Sequence, residues 1–110
     1  MTTFTNVAPP SIVVITPTTG KKSLQQAMES VAKQTIRTGH YIVMDGPDAI
    51  NNSISNRVEF PSNPLLKTLS LPENVGANNW YGHRVYAAMP LMVNADYILF
   101  LDEDNWFEPN

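Results

Sequence analysis

The sequence predicts an α/β domain built on a mostly parallel sheet flanked by helices. Three observations predict it. Short β-branched or apolar runs alternate with helical patterns along the chain. The second and last of the main runs stop abruptly at acids, Asp45 and Asp102. The last run, Tyr97 to Leu101, is apolar without alternation, as a strand buried on both faces of a parallel sheet would be.

Taken in order, Ser11-Ile12-Val13-Val14-Ile15-Thr16 lies between Pro10 and Pro17 and reads as the first strand, which Pro17 is expected to end. Thr16 to Gly20 follows as a loop. Ser23-x-x-Gln26 fits a capping box, and Leu24, Ala27, Met28 and Val31 recur at i, i+3, i+4 and i+7, one apolar stripe of a helix. Gly39 is expected to close the turn after that helix. His40 to Met44 then forms the second strand, ending at Asp45-Gly46-Pro47-Asp48. Residues 49–64 are rich in Asn, Ser and Pro and read mostly as loop, with one short extended candidate at 57–60. Leu66 to Leu71 alternates enough to be a strand with two different faces. After the turn-rich residues 72–79, Tyr81, Val85, Ala88 and Met92 stand at helical spacing, with Pro90 expected to kink or shorten the helix.

In open α/β sheets ligands bind outside the carboxyl ends of the strands, so Thr16, Pro17 and Thr18, Asp45, and Asp102 to Asp104 are expected on one rim. If the backbone stays extended, Asp102 and Asp104 share a side while Glu103 points away. Two such hard oxygen ligands suit Mn2+ or Mg2+, which keep waters and take further ligands from phosphates. Asp45 can accept hydrogen bonds from a nucleoside base or ribose. Arg84, near the start of its helix, is placed to grip phosphate. Each of these also has a plain structural reading: solvated acidic turns, an Asp serving the Gly46-Pro47 turn, and a surface arginine. His83 carries no assignment.

Composition removes several classes. A chain of 110 residues is at most one domain, read as a tail at 1–10 and a domain portion at 11–110, and 43% apolar content is that of a folded protein. Net charge is −3 without a run of Lys or Arg, which argues against nucleic acid as partner. The absence of cysteine removes disulfides, thiolate nucleophiles and Cys-type zinc sites. Met1 to Pro10 lacks the charge and apolar core of a signal peptide, and no run approaches the roughly 18 apolar residues of a membrane span. A cytoplasmic location is expected, with attachment to the cytosolic face of a membrane left open. Neither a P-loop, a G-x-G-x-x-G turn nor a G-x-S-x-G elbow occurs.

With these pieces placed, the chain resembles the N-terminal half of family 2 glycosyltransferases. The resemblance is carried by Ile12 to Thr16 with Pro17-Thr18-Thr19-Gly20, by Leu24 to Thr35, by Val43-Met44-Asp45-Gly46, by Asn74-Val75-Gly76, and by Tyr97 to Asp104, and it spans about residues 11–109. It implies the GT-A fold, a Rossmann-like arrangement, and a nucleotide-diphosphate sugar as donor with a saccharide or other hydroxyl as acceptor. It implies that Thr16, Pro17, Thr18 and Asp45 bind the nucleoside, that Asp104 coordinates the metal, and that Asp102 and Glu103 support metal, ribose or water. The family's aromatic-Asn pair is Thr19-Gly20 here, and its A-R-N stretch has become Gly82-His83-Arg84-Val85. In the family's inverting members the catalytic base comes from the second half, so these 110 residues alone are expected to bind nucleotide weakly or not at all and to transfer no sugar. A nucleotidyltransferase of the pyrophosphorylase kind, with Thr18-Thr19-Gly20-Lys21-Lys22 as its phosphate loop, and a non-catalytic nucleotide-binding module are the alternatives.

Overall fold

The computed structural model describes residues 10–108, so all but the end of the tail expected at 1–10 lies outside the described residues. Strands and helices alternate strictly: β1 (Ile12–Thr18), α1 (Ser23–Ala32), β2 (Thr38–Met44), α2 (Pro47–Ser55), β3 (Leu66–Ser70), α3 (His83–Ala88) and β4 (Tyr97–Phe100), with a 3-10 turn at Met89–Met92. The four strands form one sheet in the order β3-β2-β1-β4, and every pairing is parallel. The α/β expectation is met. Each parallel neighbour requires a crossover, and each crossover is a helix.

The core divides by strand parity. Val13, Ile15 and Val43 meet Val85 and Met89 from α3 and the turn after it. Val14 faces Ala27 and Val31 of α1, while Ile42 and Met44 face Leu24, Met28 and Ala49. Helices α1 and α2 therefore cover one face and α3 the other. Ile15, Leu24 and Ile42 are wholly buried, each contributing about 1.5–3 kcal/mol of apolar transfer.

Several boundaries differ from the sequence reading, each for a local reason. Pro17 does not end β1: it pairs with Val43, and Thr18 with Met44. The Ile15 carbonyl accepts from Leu101 N–H, and the Thr18 carbonyl accepts from Asp45 N–H, so odd positions of β1 face β4 and even ones face β2. The missing N–H of Pro17 thus stops only the ladder to β4, which ends at Ile15. The capping box is not formed. The first turn begins with Leu24 N–H on the Lys21 carbonyl, which puts Ser23 inside the helix and leaves Lys22 at the cap position with no side-chain capping bond. Gly39 lies within β2 rather than in a turn, where a Cβ would come 2.9 Å from Pro10 Cγ.

The stretch read as loop at 49–64 holds most of α2. Pro47 opens that helix and Asp48 sits in its first turn, both favoured there, but its buried stripe is only Ala49 and Ser53, too small to show as apolar periodicity. Of the four residues Tyr81, Val85, Ala88 and Met92, only Val85 is buried. Tyr81 precedes the helix with φ 53°, and the 3-10 turn at Pro90 swings Met92 outward while Met89 joins Val85 inside. Pro90 shortens the helix as expected. β4 is an edge strand: Ile98 packs inward, but Tyr97 is 67% exposed, and Leu99 and Phe100 are also exposed. Burial on both faces, read from its apolar run, is not found because nothing described lies beyond β4 in the sheet.

Candidate functional site

Strand order reverses at β1, whose neighbours are β2 on one side and β4 on the other. A crevice is built at such a reversal, because the crossover helices leave to opposite faces. A cleft of about 520 Å³ opens there, at the carboxyl ends of the strands. Pro17 and Thr18 of β1, Asp45 after β2, and Asp102, Glu103 and Asp104 after β4 all line it. Thr16 and Arg84 do not. Thr16 is sealed in the core, where its hydroxyl shares a 2.7 Å hydrogen bond with Nε2 of buried His40. Arg84 is exposed, its guanidinium 4.0 Å above the Trp80 ring.

The acidic turn is arranged differently from the extended reading. Asn105 N–H donates to the Asp102 carbonyl at 3.1 Å, a turn that removes two-residue alternation. Glu103, expected to point away, reaches into the loop after β1. Its Oε1 accepts from Thr18 Oγ1 at 2.8 Å and from Lys21 N–H at 3.3 Å. Its Oε2 accepts from Thr19 N–H at 3.3 Å and from Thr19 Oγ1 at 3.5 Å.

Asp45 makes a second clasp of the same kind. Oδ1 accepts Val75 N–H at 2.7 Å and Oδ2 accepts Gly76 N–H at 2.9 Å, which ties the loop after β3 to the end of β2. Gly76 is required by this closeness, since a Cβ there would collide with the Tyr81 carbonyl and come within 2.8 Å of Asp45 Oδ2. Asn78, Asn79 and Tyr81 have left-handed φ of 62°, 70° and 53°, so the wall of the cleft beyond Gly76 is held in a conformation that costs energy.

Asp102 and Asp104 are exposed. The Tyr86 hydroxyl donates to Asp102, and the Tyr86 ring stacks on Phe100 at 4.4 Å. Burial first, and then the bond to Asp102 and the charges of Asp102, Asp104 and Glu103, push this hydroxyl well above its ordinary pKa, so it stays a donor. Asp104 has no hydrogen-bond partner among the described residues. No group of three or more His, Cys, Asp or Glu side chains among them is arranged to hold a metal ion by itself. Asp102 and Asp104 are thus the two acids of this turn whose carboxylates stay exposed, while Glu103 is partly buried.

The cleft also draws in Tyr81, His83 and Tyr86, to which the sequence reading gave no binding role, together with Lys21, named there only in the pyrophosphorylase-type loop, and Asn74, named only in the Asn74-Val75-Gly76 motif. Asn74 and Gly76 were legible in principle: in an all-parallel sheet the loop after β3 reaches the same rim as those after β1, β2 and β4. Nothing in the sequence marks Tyr86 as the partner of Asp102.

No protein-family model, no curated protein and no solved structure matches the chain. No helix among the described residues is long and apolar enough to cross a membrane.

Proposed function

We propose that this chain forms the nucleotide-sugar-binding part of a family 2 glycosyltransferase of GT-A fold, taking a nucleotide-diphosphate sugar as donor and a saccharide or other hydroxyl as acceptor. One observation carries the reading. Pro17-Thr18, Asp45 and Asp102 to Asp104, three separate motifs of the resemblance, line a single cleft at the carboxyl ends of adjacent parallel strands.

Asp104 and Asp102 would hold Mn2+ or Mg2+ through exposed carboxylate oxygens, the remaining positions falling to phosphate and water. A bound cation would neutralise the charge that develops on a departing nucleotide diphosphate. The chain's own residues shape the cleft around the donor. Pro17, Thr18 and Lys21 line it, and Asp45 fixes the wall at Val75 and Gly76.

Because these walls are formed within the chain, weak binding is expected rather than none. Titration of UDP or GDP with MgCl2, followed by amide shifts, should move Thr18, Thr19 and Gly76 at millimolar nucleotide and should lose that response in Asp104→Ala. Absence of any response to either nucleotide in the wild type overturns the proposal. Lys21, in the cleft directly after Gly20, gives the pyrophosphorylase-type reading a specific footing. Pyrophosphate release from a sugar phosphate and nucleoside triphosphate would favour it over sugar transfer.

A further inference from the structure

We infer that Glu103 is a positioning residue rather than a ligand: its carboxylate holds the loop from Thr18 to Lys21 in the shape that makes it one wall of the cleft. The inference deepens the nucleotide-binding reading and rests on it. Four donors converge on the two oxygens: the hydroxyls of Thr18 and Thr19 and the backbone N–H groups of Thr19 and Lys21. A carboxylate offers about four acceptor sites, so this one is filled by its own protein.

The clasp joins segments more than 80 residues apart, tying the turn after β4 to the loop after β1. It does so at the strand-order reversal, where no main-chain ladder reaches: the pairing of β1 with β4 ends at Ile15 and Phe100. Beyond that point the two strand ends are joined by Glu103 alone among the side-chain hydrogen bonds described. Thr18 passes the constraint on. Its Oγ1 donates to Glu103 and accepts from Gly20 N–H at 2.9 Å, and the Gly20 carbonyl accepts from Asn56 Nδ2 at 2.9 Å on the far side of the loop. Of the three consecutive acids, Glu103 is therefore the one turned inward, which leaves Asp102 and Asp104 to face the cleft.

The test compares the whole chain with E103Q, and with E103D should E103Q fail to fold. Both variants upset the paired acceptor geometry, the first through charge and the second through reach. Amide exchange at Thr19 and Lys21 should rise roughly tenfold or more, the loss expected for one charge-assisted hydrogen bond, while exchange in β1 and β2 stays as in the wild type. Affinity for Mn2+ alone should stay within about twofold, while affinity for UDP or GDP in the presence of Mn2+ should fall roughly tenfold, because the wall and not the ligand set has been loosened. Loss of Mn2+ binding with unchanged exchange at Thr19 would make Glu103 a ligand and overturn the inference. So would faster exchange with unchanged nucleotide affinity. Should the wild-type chain bind neither nucleotide, the functional proposal fails separately, and the exchange rates still decide whether Glu103 holds the loop.

Discussion

Acidification from neutrality towards pH 4 should perturb one buried group, His40, more than any other feature of the core. Its ring is 1% exposed, Nε2 is joined to Thr16 Oγ1, and Nδ1 has no partner among the described residues. Burial pushes its pKa down from 6.5 to about 4. The sign of the effect follows from the two states. Above 6.5 the ring is neutral whether the chain is folded or not, and stability is complete. Between 6.5 and about 4 the unfolded chain takes up a proton that the folded chain refuses, so stability falls as pH falls; below about 4 both are protonated and the loss levels off. At 1.36 kcal/mol per pH unit the window corresponds to about 3 kcal/mol, a large share of the roughly 5–15 kcal/mol that holds a domain together. Urea unfolding followed by circular dichroism at a series of pH values measures it. His40→Gln keeps a polar partner for Thr16 and does not titrate, so the wild type should lose about 3 kcal/mol more than this variant across the window. Equal losses, or a His40 resonance that titrates near 6.5, would refute the reasoning.

Gly20 has φ +90°, and a Cβ there would come 2.6 Å from Ser53 N and 2.8 Å from Asn52 Cβ; Gly20→Ala should destabilise the chain by about 2 kcal/mol or more, read from the urea midpoint. Tyr86→Phe keeps the stack on Phe100 but removes the donor to Asp102. Stability should change by less than about 1 kcal/mol while affinity for Mn2+ shifts several-fold, as measured by relaxation enhancement of water protons.

How far the sequence carried is best seen residue by residue. β1 and β2 were legible because their apolar runs are short, β-branched and bounded by turn residues, β3 because Leu66 to Leu71 alternates, and the α1 stripe because Leu24, Ala27, Met28 and Val31 all face the sheet. α2 was not legible, since a helix that buries only Ala49 and Ser53 leaves no hydrophobic period to find. β4 was legible as a strand and misread in its surroundings: an apolar run reports what a strand could bury, whereas its place in the sheet decides what it does bury. The chain names the cleft's acids, whereas the expected contact of Thr16 with a nucleoside is not available, since its hydroxyl is bonded to buried His40, a partner distant in sequence. Arg84 stands at the start of α3, where its guanidinium lies over the Trp80 ring four residues earlier, and it is not among the residues that line the cleft.

An acid at the carboxyl end of a parallel strand can be turned towards a ligand or towards the loops that surround one, and residue type does not separate the two. Partner number does. Asp45 takes backbone N–H groups on both oxygens, and Glu103 has four donors, so each is satisfied within the protein. Asp102 has the Tyr86 hydroxyl and Asp104 has nothing described. The two satisfied acids hold the loops around the pair that is not, Glu103 the loop after β1 and Asp45 the loop after β3. The open carboxylates can thus stay exposed without leaving the walls around them free to collapse, because the neighbouring negative charges are spent on holding backbone donors in place. A D-x-D read on its own gives no hint of this division, since it depends on the turn at Glu103-Asp104 sending the middle side chain inward.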